Sequence, residues 1–80
     1  MGKNFTSPEA LRIQQIFIKN IKPLFEAHEI SYGEIGRRLG LTTATISRYF
    51  SLDRAMDIDV YIALARMVGK PLSELIDEKP

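Results

Sequence analysis

The residues best suited to chemistry lie between positions 43 and 48, and the chemistry that they suit is hydrogen bonding to another molecule. If this segment is helical, one face carries four residues without bulky apolar groups: Thr43, Ala44, Ser47 and Arg48. Small side chains let a helix lie deep in the major groove of DNA, and an arginine can bond both acceptors of guanine. Arg48 is therefore the best candidate for a base contact. The alternative is an ordinary solvated helix face, which weighs most for Thr43 and Ser47.

Two glycines indicate how this helix is held against the one before it. Gly36 falls inside a predicted helix from about Tyr32 to Leu39, where a missing side chain allows close approach. Gly40 follows that helix, where a left-handed residue commonly ends one. With Ser31 and Thr42 as N-caps, the pattern predicts a second short helix from about Thr43 to Phe50, and a helix-turn-helix over residues 32–50. These caps and glycines together predict the bounds of both helices and of the turn between them, which we call the corner.

Charge is distributed unevenly along a chain whose net charge is only +1. Residues 30–55 contain two acids, Glu34 and Asp53, and four arginines: Arg37, Arg38, Arg48 and Arg54. The C-terminal part is acidic instead. This distribution favours a basic face that attracts phosphates, with Arg37 and Arg38 supplying attraction and Arg54 a phosphate contact from the loop that follows the second helix. Four arginines on a solvated surface are the alternative.

The first helix is expected to be long. Ser7, Pro8 and Glu9 form a typical helix start. Apolar residues at helical spacing then predict a core stripe that consists of Ala10, Ile13, Phe17, Ile21, Leu24 and Phe25, with Leu11 and Ile18 to one side. Pro23 predicts a kink or break, because proline removes a backbone hydrogen bond. The helix should end near His28.

Two further helices complete an all-α chain. Asp57 is the predicted N-cap of a fourth helix that Gly69 ends, with Tyr61, Leu64, Ala65 and Val68 on its apolar side. A last helix carries Leu72, Leu75 and Ile76, and residues 77–80 form a polar tail.

Length and composition narrow the classes of function. Eighty residues form one domain with a modest core, which disfavours an enzyme with a large cleft. The chain has no cysteine and a single histidine, His28, so neither a metal site nor a cofactor is expected. The absence of an apolar run long enough for a bilayer predicts a cytoplasmic protein without a membrane segment.

The segment YGEIGRRLGLTTATISRY at 32–49, followed by DIDVYIALARMVGKPLSEL at 57–75, resembles the lambda-repressor-like (Cro/C1-type, XRE) helix-turn-helix regulators. The resemblance covers about residues 17–76 and implies a five-helix bundle that binds duplex operator DNA, usually as a homodimer. It places the third helix in the major groove, with Thr43, Ala44, Ser47 and Arg48 at the reading positions. It also places the start of the second helix near a phosphate.

Three positions depart from the family pattern. Tyr32 stands where glutamine usually contacts a phosphate, and its hydroxyl group can donate the same bond. Phe50 and Leu52 stand where many relatives have glutamate and glycine, so the loop that carries the expected phosphate contacts of Ser51 and Arg54 is expected to take another path. The extension at residues 1–16 precedes the usual family start. Its apolar surface is expected either to cover the bundle or to pair two subunits.

These observations leave two functions open. The first is sequence-specific DNA binding by a dimeric transcriptional regulator, most simply a repressor. The second is a protein-interaction module, such as an antitoxin or adaptor, for which an exposed apolar groove on the first and last helices would be evidence. Candidate subunit contacts are the last helix and a set of apolar residues that either lie at an interface or widen a single core: Leu11, Ile18, Val60, Ile62 and Met67.

Overall fold

The computed structural model describes residues 5–78, which contain five α-helices and no strand. The helices are α1 (Pro8–Ala27), α2 (Tyr32–Leu39), α3 (Thr43–Phe50), α4 (Ile58–Met67) and α5 (Leu72–Leu75). The all-α, five-helix prediction is therefore confirmed. The bounds of α2 and α3 agree with those expected from the caps. Residues 1–4 of the N-terminal extension and residues 79–80 of the tail lie outside the described range.

Helix α1 is continuous over 20 residues, with Pro23 inside it. The break that was one of two outcomes expected at Pro23 does not occur. Pro23 is exposed, and Ile21 and Phe25 on either side of it are 0% and 2% exposed. Their burial holds the last turn in place, because each apolar side chain contributes roughly 1.5–3 kcal/mol when it leaves water. This exceeds the value of the one hydrogen bond that proline cannot make.

The core stripe of α1 is rotated from the expected one. Ile13 is 43% exposed, whereas Gln14 is 1% exposed. Ile18 was placed at the side of the stripe but is buried, which leaves no surface for a subunit contact. The expectation for Ile13 was wrong because spacing allows either neighbour onto the buried face, and hydrophobicity favoured the isoleucine. The buried residues of the helix are Gln14, Phe17, Ile18, Ile21 and Phe25.

Helix α1 contacts the C-terminal end of the chain through Arg12 and Asn20. The Asn20 side-chain amide donates to the carbonyl oxygens of Leu75 at 2.7 Å and Asp77 at 3.1 Å. Arg12 forms an exposed ion pair with Glu78 at 2.8 Å. Asp77 and Glu78, the first two residues of the polar tail, are thus held against α1. Within the extension Gln14 is buried in the bundle and Ile13 is 43% exposed, so subunit pairing through the rest of its apolar surface stays a prediction.

Helices α4 and α5 close the core. Leu64, Ala65, Val68 and Leu75 are buried, and Gly69 has the left-handed φ of 69° expected beyond a helix end. Asp57 is the N-cap of α4, as predicted, but its side chain makes no capping hydrogen bond. Among residues 5–78, no helix combines the length and the apolar character that crossing a membrane requires.

Candidate nucleic-acid interface

The turn between α2 and α3 is built on close approach at Gly36. A Cβ atom on Gly36 would lie 2.5 Å from the carbonyl oxygen of Leu41 and 3.3 Å from the carbonyl carbon of Thr42. Gly40 has a φ of 70°, which glycine adopts without strain. The predicted role of Gly40 is confirmed. Close approach at Gly36 is confirmed as well, but the approaching segment is the turn with the N-cap Thr42, and not the body of the second helix. The corner is thus closed by backbone packed on backbone.

Each helix of the corner begins with the cap that its sequence predicts. The Ser31 hydroxyl oxygen accepts from the Glu34 backbone N–H at 3.2 Å, and the Thr42 hydroxyl oxygen accepts from Thr45 at 3.1 Å. The hydroxyl groups of Thr42 and Thr45 are also 2.9 Å apart. These bonds satisfy amide groups that a helix start would otherwise leave unpaired. The start of α3 is therefore fixed on the turn.

Helix α3 turns one face to the core and the other to solvent. Ile46 is 0% and Tyr49 5% exposed, so the buried side of the helix is anchored. The opposite face consists of the four residues predicted to read bases, all of them exposed: Thr43, Ala44, Ser47 and Arg48. No acceptor or carboxylate among residues 5–78 pairs with the Arg48 guanidinium group. This face therefore offers small side chains and one available cation.

The two arginines at the end of α2 differ from Arg48, because they already have a partner. Glu34 accepts from Arg38 at 2.7 Å and from Arg37. Hydrogen bonds from Arg38 and then Arg37 lower the pKa of the Glu34 carboxyl group. The carboxylate reduces the charge of this cluster from +2 to +1. Both guanidinium groups remain exposed, so phosphate contact by Arg37 and Arg38 stays a prediction. Their attraction for phosphate should be weaker than the sequence alone indicated, because Glu34 neutralises part of their charge.

Tyr32 lies at the start of α2, close to the start of α3. A Cβ atom on the next residue, Gly33, would be 3.5 Å from the Thr43 hydroxyl oxygen, so the two helix starts are adjacent. The ring of Tyr32 packs on Phe50 with centroids 4.8 Å apart, and Phe50 lies 6.2 Å from Phe25. Two of the departures from the family pattern therefore contact each other. Phe50 fixes the Tyr32 ring by apolar contact.

The loop after α3 contains a leucine in a conformation that glycine favours. Leu52 has a φ of 66°, and its N–H donates to the Tyr49 carbonyl at 3.2 Å. The backbone at position 52 is thus left-handed although the residue there is a leucine and not a glycine. This conformation costs some backbone strain. The Ser51 hydroxyl donates to the Asp53 carboxylate at 3.1 Å. A phosphate contact by Ser51 is therefore less favourable than expected, because the Asp53 carboxylate beside it would repel the phosphate. The exposed Arg54 guanidinium group has no partner among the described residues.

The residue that sequence reasoning missed is Gln14. Its side-chain amide donates to the carbonyl oxygens of Tyr49 at 3.0 Å and Arg54 at 2.9 Å, and its oxygen accepts from the Met56 N–H at 2.8 Å. The Tyr61 hydroxyl lies 3.5 Å from the same oxygen. Burial raises the pKa of Tyr61 to about 12. The available signal was spacing, because position 14 continues the series 10, 14, 17, 21.

Comparison with known proteins identifies one family. The helix-turn-helix family model matches residues 21–75, which is more than half of the chain. The match begins inside α1 and ends at the last residue of α5, so Gln14 lies outside it. No curated protein and no solved structure gives a significant match.

Proposed function

Because the chain belongs to the lambda-repressor-like (XRE-type) helix-turn-helix family of DNA-binding transcription regulators, we propose that it is a repressor of operator DNA. In this proposal the exposed face of α3 enters the major groove and blocks access of polymerase to the operator. The observation that carries the proposal is an Arg48 that has no partner among residues 5–78 and lies on a face of small residues. The protein acts in the cytoplasm, by binding rather than by catalysis.

The four residues of the reading face have different roles. Arg48 bonds the two major-groove acceptors of one guanine. Ala44 contacts a thymine methyl group, and Thr43 and Ser47 bond a base edge or a phosphate. All four side chains lie on the solvent side of a helix whose other side is anchored in the core. That anchoring keeps their spacing fixed, which base recognition requires.

Phosphate contacts surround this face. Tyr32, beside the start of α3, donates its hydroxyl group to one phosphate, and Arg54 in the loop contacts another. Ser51 is the weakest member of the set because its hydroxyl donates to Asp53. Arg37 and Arg38 supply longer-range attraction, reduced by their pairing with Glu34.

We place two copies on the operator. Two reading helices related by a two-fold axis would contact half-sites about 34 Å apart, one turn of DNA. Exposed apolar residues on α4 support such pairing, since Ile58 is 62% and Ile62 39% exposed and they lie on the same face of the helix. A single copy has a small interface and is expected to bind weakly.

Selection of bound duplexes from a random library tests the proposal. Enrichment of an inverted repeat, with half-sites about one helical turn apart, is expected. The affinity for the selected duplex should fall steeply as salt rises, because each phosphate contact releases counterions. Failure to enrich any sequence over the starting library would contradict the proposal.

Removal of the Arg48 side chain tests the proposed base contact. Arg48→Ala should reduce discrimination at one base pair by roughly 1–3 kcal/mol and leave the other positions of the site unchanged. Lys22→Ala is the control, because it removes an exposed cation from α1, outside both the proposed reading face and the proposed pairing face. The measurement is affinity for all four bases at each operator position. An unchanged base preference in Arg48→Ala would refute the assignment.

One observation favours the second candidate, a protein-interaction module. Ile13 and Ile76 are 43% and 36% exposed, and they line a groove between α1 and the C-terminal segment together with Ile16 and Pro8. An apolar partner bound there would respond weakly to salt, in contrast to DNA. Salt dependence of binding therefore separates the two functions.

A further inference from the structure

We propose that Gln14 is a positioning residue for the DNA contacts of the loop that joins α3 to α4. The inference rests on the proposed function and extends it to a part of α1 that the family model does not match. Gln14 itself is 1% exposed and touches no DNA. It acts through the backbone of the loop, and so through the direction in which Arg54 presents its guanidinium group.

The geometry places one amide group between the two ends of the loop. Before the loop, Gln14 donates to the Tyr49 carbonyl in the last turn of α3. After it, Gln14 donates to the Arg54 carbonyl and accepts from the Met56 N–H. Both amide protons and the carbonyl oxygen are therefore used. A side chain from a different helix therefore bridges the end of α3 and Arg54, in addition to the local bond from the Asp53 N–H to the Arg48 carbonyl at 2.9 Å.

The loop needs this support because it contains strain. Leu52 has a left-handed φ of 66°, and such a residue persists only where its surroundings determine the conformation. The loop directly follows α3, and its Ser51 and Arg54 are both exposed. Loss of the Gln14 amide would release the end of the loop at Arg54 and Met56, whereas the Leu52 and Asp53 amides would still bond the end of α3. The Arg54 side chain would then start from several backbone positions instead of the one that Gln14 fixes.

A role in positioning differs from a role in stability alone, and two variants separate them. Gln14→Met keeps the approximate volume and removes every hydrogen bond to the loop. Asn20→Leu removes two hydrogen bonds from the same helix, but to the C-terminal segment at Leu75 and Asp77. Both variants are compared at a temperature where circular dichroism shows each to be fully folded. Any difference in DNA binding then reports on the loop.

The binding experiment uses the duplex that the wild-type chain selects. Gln14→Met should bind it about threefold to thirtyfold more weakly, the range expected for a change outside the contact surface. The slope of log affinity against log salt should become shallower by about 0.9, because one phosphate contact is lost. Asn20→Leu should keep both the affinity and the slope of the wild type.

A double-mutant cycle tests whether Gln14 acts through Arg54. Arg54→Ala should weaken binding in the wild-type background and have little further effect in Gln14→Met. Additive effects would overturn the inference, because they would show that the two residues act independently. Equal affinities of Gln14→Met and Asn20→Leu would overturn it as well. Neither result would affect the proposed function, whereas absence of binding by the wild type would overturn both.

Hydrogen exchange supplies a measurement that needs no variant and so applies even if Gln14→Met does not fold. The Met56 amide of the DNA-free protein should exchange as slowly as the amides of α3, since it donates to a buried oxygen. Exchange at the rate of an exposed loop amide would show that Gln14 does not hold the loop, and would overturn the inference.

Discussion

The α2–α3 corner and the α1 seam, meaning the bonds of Gln14 and Asn20 to the rest of the chain, are held by different kinds of contact. The capping bonds of the corner, from Ser31 to Glu34 and from Thr42 to Thr45, each join residues three positions apart. The bonds of Gln14 span 35 to 47 positions, and those of Asn20 span 55 and 57. The corner is thus held by hydrogen bonds between residues that are close in sequence, and the seam by hydrogen bonds between residues that are far apart in sequence.

The difference shows which structural features can be predicted from residue type and which depend on the assembled fold. A cap or a turn glycine restricts a few dihedral angles, so residue type alone determines what it does. A buried amide must find partners that only the assembled fold supplies, and its value depends on all of them being present. Substitutions in the seam should therefore disturb the α2–α3 corner less than they disturb the loop between α3 and α4.

The largest effect is expected from a change that breaks the seam at Gln14. Gln14→Met should lower the free energy of unfolding by about 3 kcal/mol, because it removes the partner of the buried Met56 N–H and also the bonds to the Tyr49 and Arg54 carbonyl oxygens. The measurement is denaturation by urea. Gln15→Met is the control, since the adjacent glutamine is exposed and should change stability by less than about 0.5 kcal/mol. Equal stability of the two variants would contradict the role of the seam.

A smaller effect is expected when the corner is broken at Gly36. Gly36→Ala should lower the free energy of unfolding by about 2 kcal/mol, because its Cβ would overlap the Leu41 carbonyl oxygen. Gly33→Ala introduces the same group into the same helix at ordinary contact distance, and should be neutral or raise stability by up to about 1 kcal/mol. Urea denaturation of both variants checks the prediction. A Gly36→Ala variant as stable as Gly33→Ala would refute the close approach.

The pH dependence of stability at alkaline pH tests the burial of Tyr61, whose hydroxyl group lies beside Gln14 of the seam. Burial raises the pKa of Tyr61 to about 12, above the ordinary value of 10.0. The folded chain therefore binds more protons than the unfolded chain between pH 10 and 12, and stability should fall as pH rises through this window. A shift of this size corresponds to about 2.7 kcal/mol. Because the side chain is partly exposed, we expect about 1 kcal/mol.

The measurement is the free energy of unfolding at pH 9, 10 and 11, for the wild type and for Tyr61→Phe. The phenylalanine variant keeps the ring that packs on Phe17 at 4.8 Å but has no group to titrate. It should lose less stability over this range than the wild type. The same pH dependence in both chains would show that Tyr61 is not responsible.

The smallest effect is expected at the joint between the two regions. Glu29, between α1 and α2, is exposed and has a left-handed φ of 58°. Glu29→Gly should raise the free energy of unfolding by up to about 1 kcal/mol, because glycine adopts this conformation without strain. Glu26→Gly, inside α1, should lower it by about 0.5–1 kcal/mol. Thermal melting of both variants would show the opposite signs, and a loss of stability in both would contradict the prediction.

Prediction from sequence succeeded at the corner and failed at the seam. The bounds of α2 and α3, the caps Ser31 and Thr42, and the glycine at position 36 were all predicted correctly. Each depends on interactions within a few residues. The burial of Gln14 in place of Ile13 was not predicted, because helical spacing alone does not distinguish neighbouring positions. The solvent exposure of Thr43, Ala44, Ser47 and Arg48 was predicted from helix periodicity and is confirmed, whereas their contacts to DNA bases stay a prediction.

The sequence by itself determined which residues start and end the helices of the corner, and which side of α3 faces solvent. Those properties follow from backbone geometry, hydrogen bonding within one turn and apolar periodicity. Only the tertiary structure decided that Tyr32 packs on Phe50, that Arg37 and Arg38 share Glu34, and that Gln14 holds the loop. The aromatic contact and the Gln14 bonds join residues that are distant in sequence, and all of these pairings depend on directions of side chains that are set when the helices pack together.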